Sequence, residues 1–371
     1  MQSQINPKSL LGLDLQELTE LVEAADEPAY RAKQFFQALY WERVTSPDQI
    51  STLPLDFRSS LARQGVSVGL PAIERKFVSS DGTVRYLLRL ADGETIETVW
   101  MPEGDGGESG DGSEADDTSL SAGRNRATIC LSSQSGCAVN CRFCLTALLG
   151  IKRNLSAGEI VGQVIVLLQD QNASPPLERV NLVFMGMGEP FLNYENFIKA
   201  VKLLAKGVGI PQSRMTVSTA GIVPRIYDLG QEEIRPKLAI SLNAPNDAIR
   251  EELMPINRKW NLEKLLSAAR DFPLRNRERL TFEYVLLKGV NDRAEHAREL
   301  AELMRGICCK VNLIAWNSGP GIAFGTPDEN AVLEFQKILR QAGVPAFIRR
   351  PRGRDIFAAC GQLKRTTEAA T

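Results

Sequence analysis

Histidine is nearly absent from this chain, since His296 is the single one among 371 residues. This scarcity argues against almost every mechanism that depends on an imidazole base or ligand. No apolar run approaches the ~18 residues that a membrane-spanning helix needs. The amino terminus also lacks a basic segment followed by an apolar one, so no secretory signal is expected. We therefore expect a cytoplasmic protein that is not bound to a membrane.

The chain also carries almost no net charge, because 44 lysines and arginines face 45 aspartates and glutamates. Seven of the acids, and no base, lie within 103–117. Such a stretch cannot bury enough apolar surface to offset its ordering entropy, so 103–123 is predicted to be a disordered acidic loop. Removing these seven charges changes the formal charge from −1 to +6, which predicts a basic folded body.

Hydrophobic periodicity divides the rest of the chain into four parts. Residues 1–70 have helical spacing and are predicted to form a small accessory domain, with Asp14 and Asp26 as helix N-caps. In 71–102, two Asp-Gly turns separate alternating runs, which predicts a β-meander leading into the core. Residues 124–350 alternate strand and helix patterns, and 351–371 form a C-terminal segment.

Six strand–helix pairs predict an α/β fold with a parallel sheet, closed or partly closed into a barrel, because every parallel crossover needs a helix. The predicted strands are 127–133, 180–186, 214–221, 237–243, 280–287 and 310–316. The predicted helices are near 156–170, 194–206, 247–253, 262–270, 292–305 and 328–342. Ligands of such barrels bind at the carboxyl ends of the strands.

Seven cysteines are an odd number for a disulfide framework, and in a reducing compartment they suggest metal-binding or catalytic thiols. Cys137, Cys141 and Cys144 follow the first barrel strand at the spacing C-x3-C-x2-C. A four-iron cluster ordinarily takes four thiolates, so three leave one iron open to a small molecule. A structural zinc site is the alternative, although its fourth ligand would have to be distant in sequence. Cys308 and Cys309 are predicted to be buried structural thiols.

The cysteine motif, with Phe143 before its last cysteine, resembles that of the radical S-adenosylmethionine (SAM) enzymes. Further segments narrow the resemblance to the adenosine C2 methyltransferases that modify 23S ribosomal RNA and tRNA. These segments are ATICLSSQSGCAVNCRFC, VFMGMGEPFLNYEN, VSTAGIVP, LAISLNAPND, VNLIAWN and RGRDIFAACGQL. The resemblance covers nearly the whole chain apart from the acidic loop and the extreme termini. It implies a radical-SAM partial (βα)6 TIM-like barrel, one [4Fe-4S] cluster on the three motif cysteines, and two SAM molecules per turnover.

The resemblance also implies roles for three further residues. Cys360 accepts a methyl group from one SAM, and a 5′-deoxyadenosyl radical made from the second SAM removes a hydrogen from that methyl. Glu97 takes the proton from carbon 2 of adenine, and Cys130 releases the product by forming a transient disulfide with Cys360. Judged from the residues alone, the two cysteines could also be buried core thiols and Glu97 an exposed strand residue.

The remaining matches are SAM contacts at or near predicted strand ends. They are Gly188, Glu189, Ser218, Ser241, Leu242, Asn243 and Asn317. The glycine permits close approach of the backbone to a ligand. Asn243 departs from the family pattern, which usually has His at this position. A contact made through the backbone survives this change, whereas one made by the imidazole does not.

A basic cluster near the carboxyl end is predicted to contact RNA phosphates. It comprises Arg340, Arg349, Arg350, Arg352, Arg354, Lys364 and Arg365. The resemblance implies 23S ribosomal RNA and tRNA as substrates, RNA binding by the N-terminal domain, an external electron donor such as a flavodoxin or ferredoxin system, and a monomer. The alternatives are a related enzyme that methylates adenosine carbon 8 and a zinc-dependent RNA-binding module without catalysis. A thiol–disulfide oxidoreductase is disfavoured, because no C-x2-C redox pair lies on a thioredoxin-like pattern.

Overall fold

The computed structural model of the protein describes residues 9–102, 126–175 and 178–363. The acidic loop predicted at 103–123 lies outside these ranges, as do Lys364 and Arg365. The strands are β1 (Ala72–Val78), β2 (Val84–Arg89), β3 (Thr95–Pro102), β4 (Arg126–Cys130), β5 (Gln134–Gly136), β6 (Ile151–Asn154), β7 (Arg179–Phe184), β8 (Met215–Thr219), β9 (Lys237–Ser241), β10 (Leu280–Leu286), β11 (Cys309–Ala315) and β12 (Ala346–Arg349). The helices are α1 (Leu15–Glu23), α2 (Arg31–Phe36), α3 (Leu55–Arg63), α4 (Ala157–Asp170), α5 (Tyr194–Leu203), α6 (Val223–Gln231), α7 (Asp247–Leu253), α8 (Leu262–Asp271), α9 (Ala294–Leu303) and α10 (Glu329–Gln341).

Ten strands form one sheet in the spatial order β1-β2-β3-β4-β7-β8-β9-β10-β11-β12. The strands from β1 to β4 are antiparallel neighbours, and the two Asp-Gly turns join the first three as a meander. The seven strands from β4 to β12 in this order are parallel. Among the described residues β1 and β12 do not pair with each other, so the barrel is only partly closed.

The structure adds elements that the sequence pattern did not predict. β12 is a seventh parallel strand, and α6 follows β8 where no helix was expected. Proline in the first turn of α6 suits a helix start, because the backbone N–H groups of a first turn have no partner within the helix. β5 and β6 form a small hairpin that encloses the cysteine loop. The six predicted barrel strands are present but end one to three residues early, where the loops that carry the candidate site begin.

The two predicted N-caps have different outcomes. Asp14 caps α1, since its side chain accepts the Glu17 N–H at 2.9 Å. The prediction for Asp26 is wrong: its backbone is left-handed, with φ of 57°, and α2 begins only after Tyr30. The turn that ends α1 and the proline at 28 separate Asp26 from the next helix.

The N-terminal helices pack into the same apolar core as the barrel helices. Leu18 and Phe35 belong to one buried cluster with Val161 of α4 and Phe197 of α5. The hydroxyl of Tyr40 accepts the Gly12 N–H at 3.0 Å and donates to the Leu13 carbonyl at 2.7 Å. These hydrogen bonds hold residues 12 and 13 against Tyr40, which lies just after α2.

The interior of the partial barrel is open and polar. In closed barrels of this type, bulky branched side chains fill the interior. Here the inward positions carry small or polar side chains, which line a large open cavity. They include Thr128, Asn181, Thr216, Thr281 and Asn312. This open interior leads to the carboxyl ends of the strands, where a ligand of a parallel barrel is expected.

Candidate active site

The three motif cysteines lie on the loop between β5 and β6. Gly136 precedes the first of them with φ of 86°, and a Cβ there would lie 1.8 Å from the Gly150 carbonyl oxygen. Only glycine therefore fits this turn. The Cys137 N–H donates to the same Gly150 carbonyl at 3.1 Å, and the Cys144 N–H donates to the Cys141 carbonyl at 3.1 Å. The loop is thus closed at its base and curled at its end.

All three thiols line one cavity at the carboxyl ends of the barrel strands. Burial raises the pKa of Cys137 to about 12, and it raises the pKa values of Cys141 and Cys144 as well. Without a cation these thiols are protonated at neutral pH. A bound metal reverses this preference, since thiols that ligate a metal lose their protons.

Six of the seven expected SAM contacts line the same cavity. They are Gly188, Glu189, Ser218, Ser241, Asn243 and Asn317. The hydroxyls of Ser218 and Ser241 lie 3.1 Å apart on adjacent strands. The seventh, Leu242, is fully buried in the core, so only its backbone can approach the cavity.

Glu189 is a buried carboxylate at the end of β7. Its Oε1 accepts the Phe191 N–H at 3.0 Å, and its Oε2 accepts the Ala220 N–H at 2.7 Å. Burial raises its pKa to about 7. A ligand cation in the cavity would favour the ionised form, which suits the ammonium group of SAM.

Gly188 is needed for packing within the protein. Its φ is 97°, and a Cβ there would lie 2.5 Å from the Cβ of Gln134. The Gln134 side chain also accepts the Glu189 N–H at 2.8 Å. The backbone at Gly188 therefore packs closely against Gln134 of β5. This contact positions the carboxylate of the neighbouring Glu189.

Asn243 has a structural task that explains how it can replace histidine. Its backbone is left-handed, with φ of 58°, a conformation in which both Asn and His are enriched. Its Oδ1 accepts the Val285 N–H at 2.9 Å, and its carbonyl accepts the Asn291 Nδ2 at 2.8 Å. The side chain therefore joins β9 to β10, and a ligand contact at this position is left to the backbone.

Arg250 was not identified from the sequence. It is fully buried and donates to the Leu242 carbonyl at 3.1 Å, the Ala220 carbonyl at 2.7 Å and the Asn257 side chain at 2.9 Å. Burial lowers its pKa to about 10. It ties together the ends of β8 and β9, and its position in the polar helix α7 resembles that of an ordinary solvated residue.

Cys360 lies on a C-terminal segment that reaches back to the cysteine loop. The Gly361 carbonyl accepts the Leu145 N–H at 2.8 Å, and the Leu363 carbonyl accepts the Thr146 hydroxyl at 2.8 Å. The Cys360 thiol lines both the cavity of the motif cysteines and the larger barrel cavity. The thiol is accessible from the cavities, but protein atoms surround it at longer range. This desolvation raises its pKa to about 11.

Cys130 faces the larger cavity from the end of β4. Burial, and next the Cys360 thiol, raise its pKa far above the usual range. Both cysteines are free thiols. The structure therefore brings the two residues to one cavity although they are far apart in the sequence.

Glu97 does not line either cavity. Its carboxylate forms a fully buried ion pair with Arg85 on the neighbouring strand β2. The guanidinium of Arg85 also lies 4.1 Å from the centre of the Phe77 ring. The expectation that Glu97 would be exposed if it were not catalytic is wrong, because the meander face is covered by the C-terminal segment.

The other predicted residues are dispersed. Cys309 is buried and contacts Met304, whereas Cys308 is exposed, so the prediction of two buried thiols is wrong for Cys308. Within the basic cluster, Arg349, Arg350 and Arg352 line the larger cavity. Arg340 lies on α10, where its Nε donates to the Ala346 carbonyl at 2.9 Å.

Comparisons with known proteins identify the family. A model of the radical SAM superfamily matches residues 131–303. A probable dual-specificity RNA methyltransferase RlmN from Koribacter versatilis is 64% identical over 345 residues, which cover 93% of this chain and 98% of that protein. The dual-specificity RNA methyltransferase RlmN of Campylobacter jejuni is 44% identical and covers 91% of this chain and 93% of its own length. This chain belongs to the dual-specificity RNA methyltransferase family.

A solved structure agrees with this family and its fold. The crystal structure of a radical SAM methyltransferase from Sphaerobacter thermophilus matches this dual-specificity methyltransferase chain with a TM-score of 0.85 at 40% identity. The match covers 97% of this chain and 100% of that chain. The predicted radical-SAM partial barrel is therefore confirmed, with a helical N-terminal region and a β-meander.

The radical SAM superfamily implies a [4Fe-4S] cluster and SAM, and the residues of this methyltransferase fit both groups. Three thiols line the cavity from one loop. In the described ranges no three His, Cys, Asp or Glu side chains converge to hold a single metal ion. Thiolates that bind three separate irons do not need to converge, so the donor set suits a cluster. The buried Glu189 and the paired serines line the same cavity and are polar groups of the kind that a SAM molecule could contact. No helix among the described residues is long and apolar enough to cross a membrane.

Proposed function

We propose that this protein transfers a methyl group to carbon 2 of adenosine in 23S ribosomal RNA and in tRNA. One observation carries the proposal: the free Cys360 thiol faces both the cavity of the motif cysteines and the cavity that holds Cys130. A thiol at this junction can accept a methyl group on one side and deliver it to a base on the other. The name of the relatives, dual-specificity RNA methyltransferase, supports RNA as the substrate.

Cys360 is proposed as the methyl acceptor. Carbon 2 of adenine is electron-poor, so it does not attack the sulfonium methyl of SAM directly. The Cys360 thiolate attacks that methyl instead, which forms a C–S bond and releases S-adenosylhomocysteine. The pKa of about 11 means that the thiol must first lose its proton, and the nearby Arg349 guanidinium favours the thiolate.

The second half of the reaction uses both cysteines. When bound, the cluster and a second SAM supply a 5′-deoxyadenosyl radical. Methyl-Cys360 loses one hydrogen atom to it, and the resulting methylene carbon adds to carbon 2. The adduct must give up its unpaired electron, for which the cluster would be the acceptor when bound, and the proton of carbon 2 passes to Glu97. The Cys130 thiolate attacks the Cys360 sulfur: an S–S bond forms, the C–S bond breaks, and the electron pair left on the methylene carbon takes up a proton to complete the methyl group. An external reductant returns the disulfide to two thiols.

Glu97 is proposed as the acceptor of the carbon 2 proton. Its position on β3 supports this role, because Val99, two residues further on the same face, pairs with Cys130. Its carboxylate is paired with Arg85 in the protein without RNA. The side chain therefore has to rotate away from Arg85 to reach a base in the cavity.

RNA binding is proposed at the mouth of the larger cavity. The target adenine must leave its stack to reach Cys360. Arg349, Arg350 and Arg352 line this cavity and would hold the flanking phosphates. We further propose that the N-terminal helices add RNA contacts, that the protein acts as a cytoplasmic monomer, and that a flavodoxin or ferredoxin system supplies the electrons. Transfer to carbon 8, the alternative, draws no support from the relatives named above.

Nucleoside mass spectrometry of RNA from cells that lack the gene tests the proposal. We expect 2-methyladenosine to disappear from 23S ribosomal RNA and tRNA, and to return with the wild-type gene but not with Cys360→Ala. Persistence of 2-methyladenosine would defeat the assignment. Loss of 8-methyladenosine instead would favour the alternative position.

Cys130→Ala tests the proposed release step. Without the attacking thiol the methylene bridge between Cys360 and the base cannot break, so we expect a covalent RNA–protein product on denaturing gels. Cys308→Ala, which removes an exposed thiol outside both cavities, is the matched control. Free methylated RNA at the wild-type rate from Cys130→Ala would contradict the resolving role.

A further inference from the structure

Glu283 is a carboxylate on the cavity wall that has no task in the proposed reaction. It lines both the cavity of the motif cysteines and the larger cavity. On β10 it pairs with Ser241 of β9 on one side and with Asn312 of β11 on the other. After burial, it is the next cause of the raised pKa of the Cys360 thiol, so it lies near that sulfur.

Asn312 orients this carboxylate and has an acceptor to spare. Its Nδ2 donates to Glu283 Oε1 at 2.9 Å. The residue is only 6% exposed, and its Oδ1 finds no hydrogen-bond partner among the residues that the structure describes. An unsatisfied buried acceptor disfavours the unliganded protein, so a ligand N–H that reaches it is favoured. Asn312 lines the larger cavity, where a base would enter.

We propose that Glu283 and Asn312 form a reading pair, in which a Glu283 carboxylate oxygen and Asn312 Oδ1 accept the two hydrogens of the exocyclic amine of the target adenine. This inference rests on the proposed function and adds the residues that select the base. Adenine presents an amine at this position, whereas guanine and inosine present a carbonyl oxygen. Two acceptors therefore bind adenine and repel the other two bases.

The chemistry of the base places its reader close to Cys360. One ring nitrogen separates carbon 2 of adenine from the carbon that carries the amine. A group that binds the amine must therefore lie close to the sulfur that delivers the methyl, and Glu283 lines the same two cavities as Cys360. Met185 and Ile314 line both cavities and provide apolar surface against the faces of a flat ring.

Equilibrium binding of short RNA hairpins to the holoenzyme tests the reading pair. The hairpins carry adenosine, purine riboside or inosine at the target position. We expect the wild type to bind the adenosine hairpin about tenfold or more tightly than either analogue. Glu283→Gln should reduce the adenosine-to-inosine ratio to about one, because a glutamine amide can accept from an amine or donate to a carbonyl.

Two further variants support the comparison. Glu334→Gln makes the same change on the exposed face of α10 and should keep the wild-type ratio. Asn312→Ala removes the second acceptor and should lower the adenosine-to-purine ratio several-fold. If Glu283→Gln does not fold, as judged by circular dichroism, Asn312→Ala decides the matter: an unchanged ratio overturns the pair.

Separate measurements distinguish this inference from the proposed function. Methylation of Cys360, read by protein mass spectrometry, requires no RNA and therefore no base reading. Absence of this modification from the wild type defeats the proposed function. Normal modification together with a wild-type binding ratio in Glu283→Gln defeats the reading pair alone. A loss of SAM affinity without a change in RNA discrimination assigns Glu283 to the cofactor and also overturns the pair.

Discussion

The Glu189 carboxylate has a structural task, and we propose that it also binds the ammonium group of SAM. Both of its oxygens accept backbone N–H groups, and burial raises its pKa from 4.5 to about 7. Between these two values the folded protein holds a proton that the unfolded chain has released. The contribution of this group to stability therefore falls as the pH rises from about 4.5 to about 7 and is constant above that range.

The affinity for SAM should have the opposite dependence on pH. Only the ionised Glu189 attracts the ammonium group of SAM, so we expect binding to weaken as the pH falls through about 7. Glu189→Gln should weaken binding about thirtyfold or more above that pH, and should remove the pH dependence. Isothermal titration calorimetry over this range measures both effects.

The same substitution should also reduce stability at about pH 4.5, where Glu189 is protonated in the folded protein and carries no penalty for a buried charge. A glutamine has one acceptor oxygen, so the N–H of Phe191 or of Ala220 loses its partner, at a cost of about 1–3 kcal/mol. Urea denaturation without ligand measures this loss, and the exposed Glu233→Gln is the control. A pH dependence of SAM binding that persists in Glu189→Gln would assign the titration to another group.

At the scale of elements, the segment that carries Cys360 has little regular structure and depends on tethers. Asp355 accepts the Ser79 hydroxyl at 2.5 Å and the Ser80 N–H at 3.2 Å, both in the turn between β1 and β2. The hydrogen bond from Ser79 holds the pKa of Asp355 below its usual range, so the tether is formed at neutral pH. It is lost only as the pH falls through that lowered pKa.

Asp355→Ala should loosen this segment without changing the cavity walls. We expect the amides of 358–363 to exchange hydrogen about fivefold faster, as the loss of ~1 kcal/mol of hydrogen bonding implies. Hydrogen–deuterium exchange with mass spectrometry measures the effect, with Glu233→Ala as the exposed control. Unchanged exchange would mean that the other contacts of the segment, such as those of Gly361 and Leu363, are sufficient to hold it.

The elements themselves were predictable where their patterns are local. The alternation of β-branched runs and amphipathic stretches located six parallel strands, since β-branched residues favour strands and each parallel crossover needs a helix. The sequence pattern does not predict β12, because this strand has only four residues and only one of them is buried. The pattern does not predict α6, because the first residues of this helix continue the apolar run that follows β8. The proline in its first turn is a start signal only once the helix is known.

At the scale of the whole molecule, the N-terminal helices and the barrel meet backbone to backbone. A Cβ on Gly158, at the second position of α4, would lie 2.1 Å from the Leu11 carbonyl oxygen. Lys199 of α5 also pairs with Glu17 of α1 at 2.6 Å. The position of the N-terminal region thus depends on Gly158, although helix propensity alone would favour alanine at this position.

Gly158→Ala separates the two effects. Helix propensity favours alanine by about 1 kcal/mol, whereas overpacking against backbone costs about 1–3 kcal/mol. We expect Gly158→Ala to lose stability in urea denaturation, because the Leu11 carbonyl cannot move without displacing the backbone that precedes α1. Gly230→Ala in α6 is the matched control, since the nearest atom there, at 2.9 Å, belongs to the Pro273 ring. Equal stability of the two variants would show that the backbone around Leu11 can move to accept the added methyl group.

The sequence by itself determined the chemistry of this protein, because the spacing of three cysteines and the order of strands and helices are local properties. Only the tertiary structure decided which groups meet. Thr146 binds the carbonyl of a residue 217 positions away, and this contact brings Cys360 to the cysteine loop. The pairing of Glu97 with Arg85, the burial of Arg250 and the spare acceptor of Asn312 likewise arise between distant segments. Burial and the satisfaction of polar groups depend on such contacts, which no local pattern records.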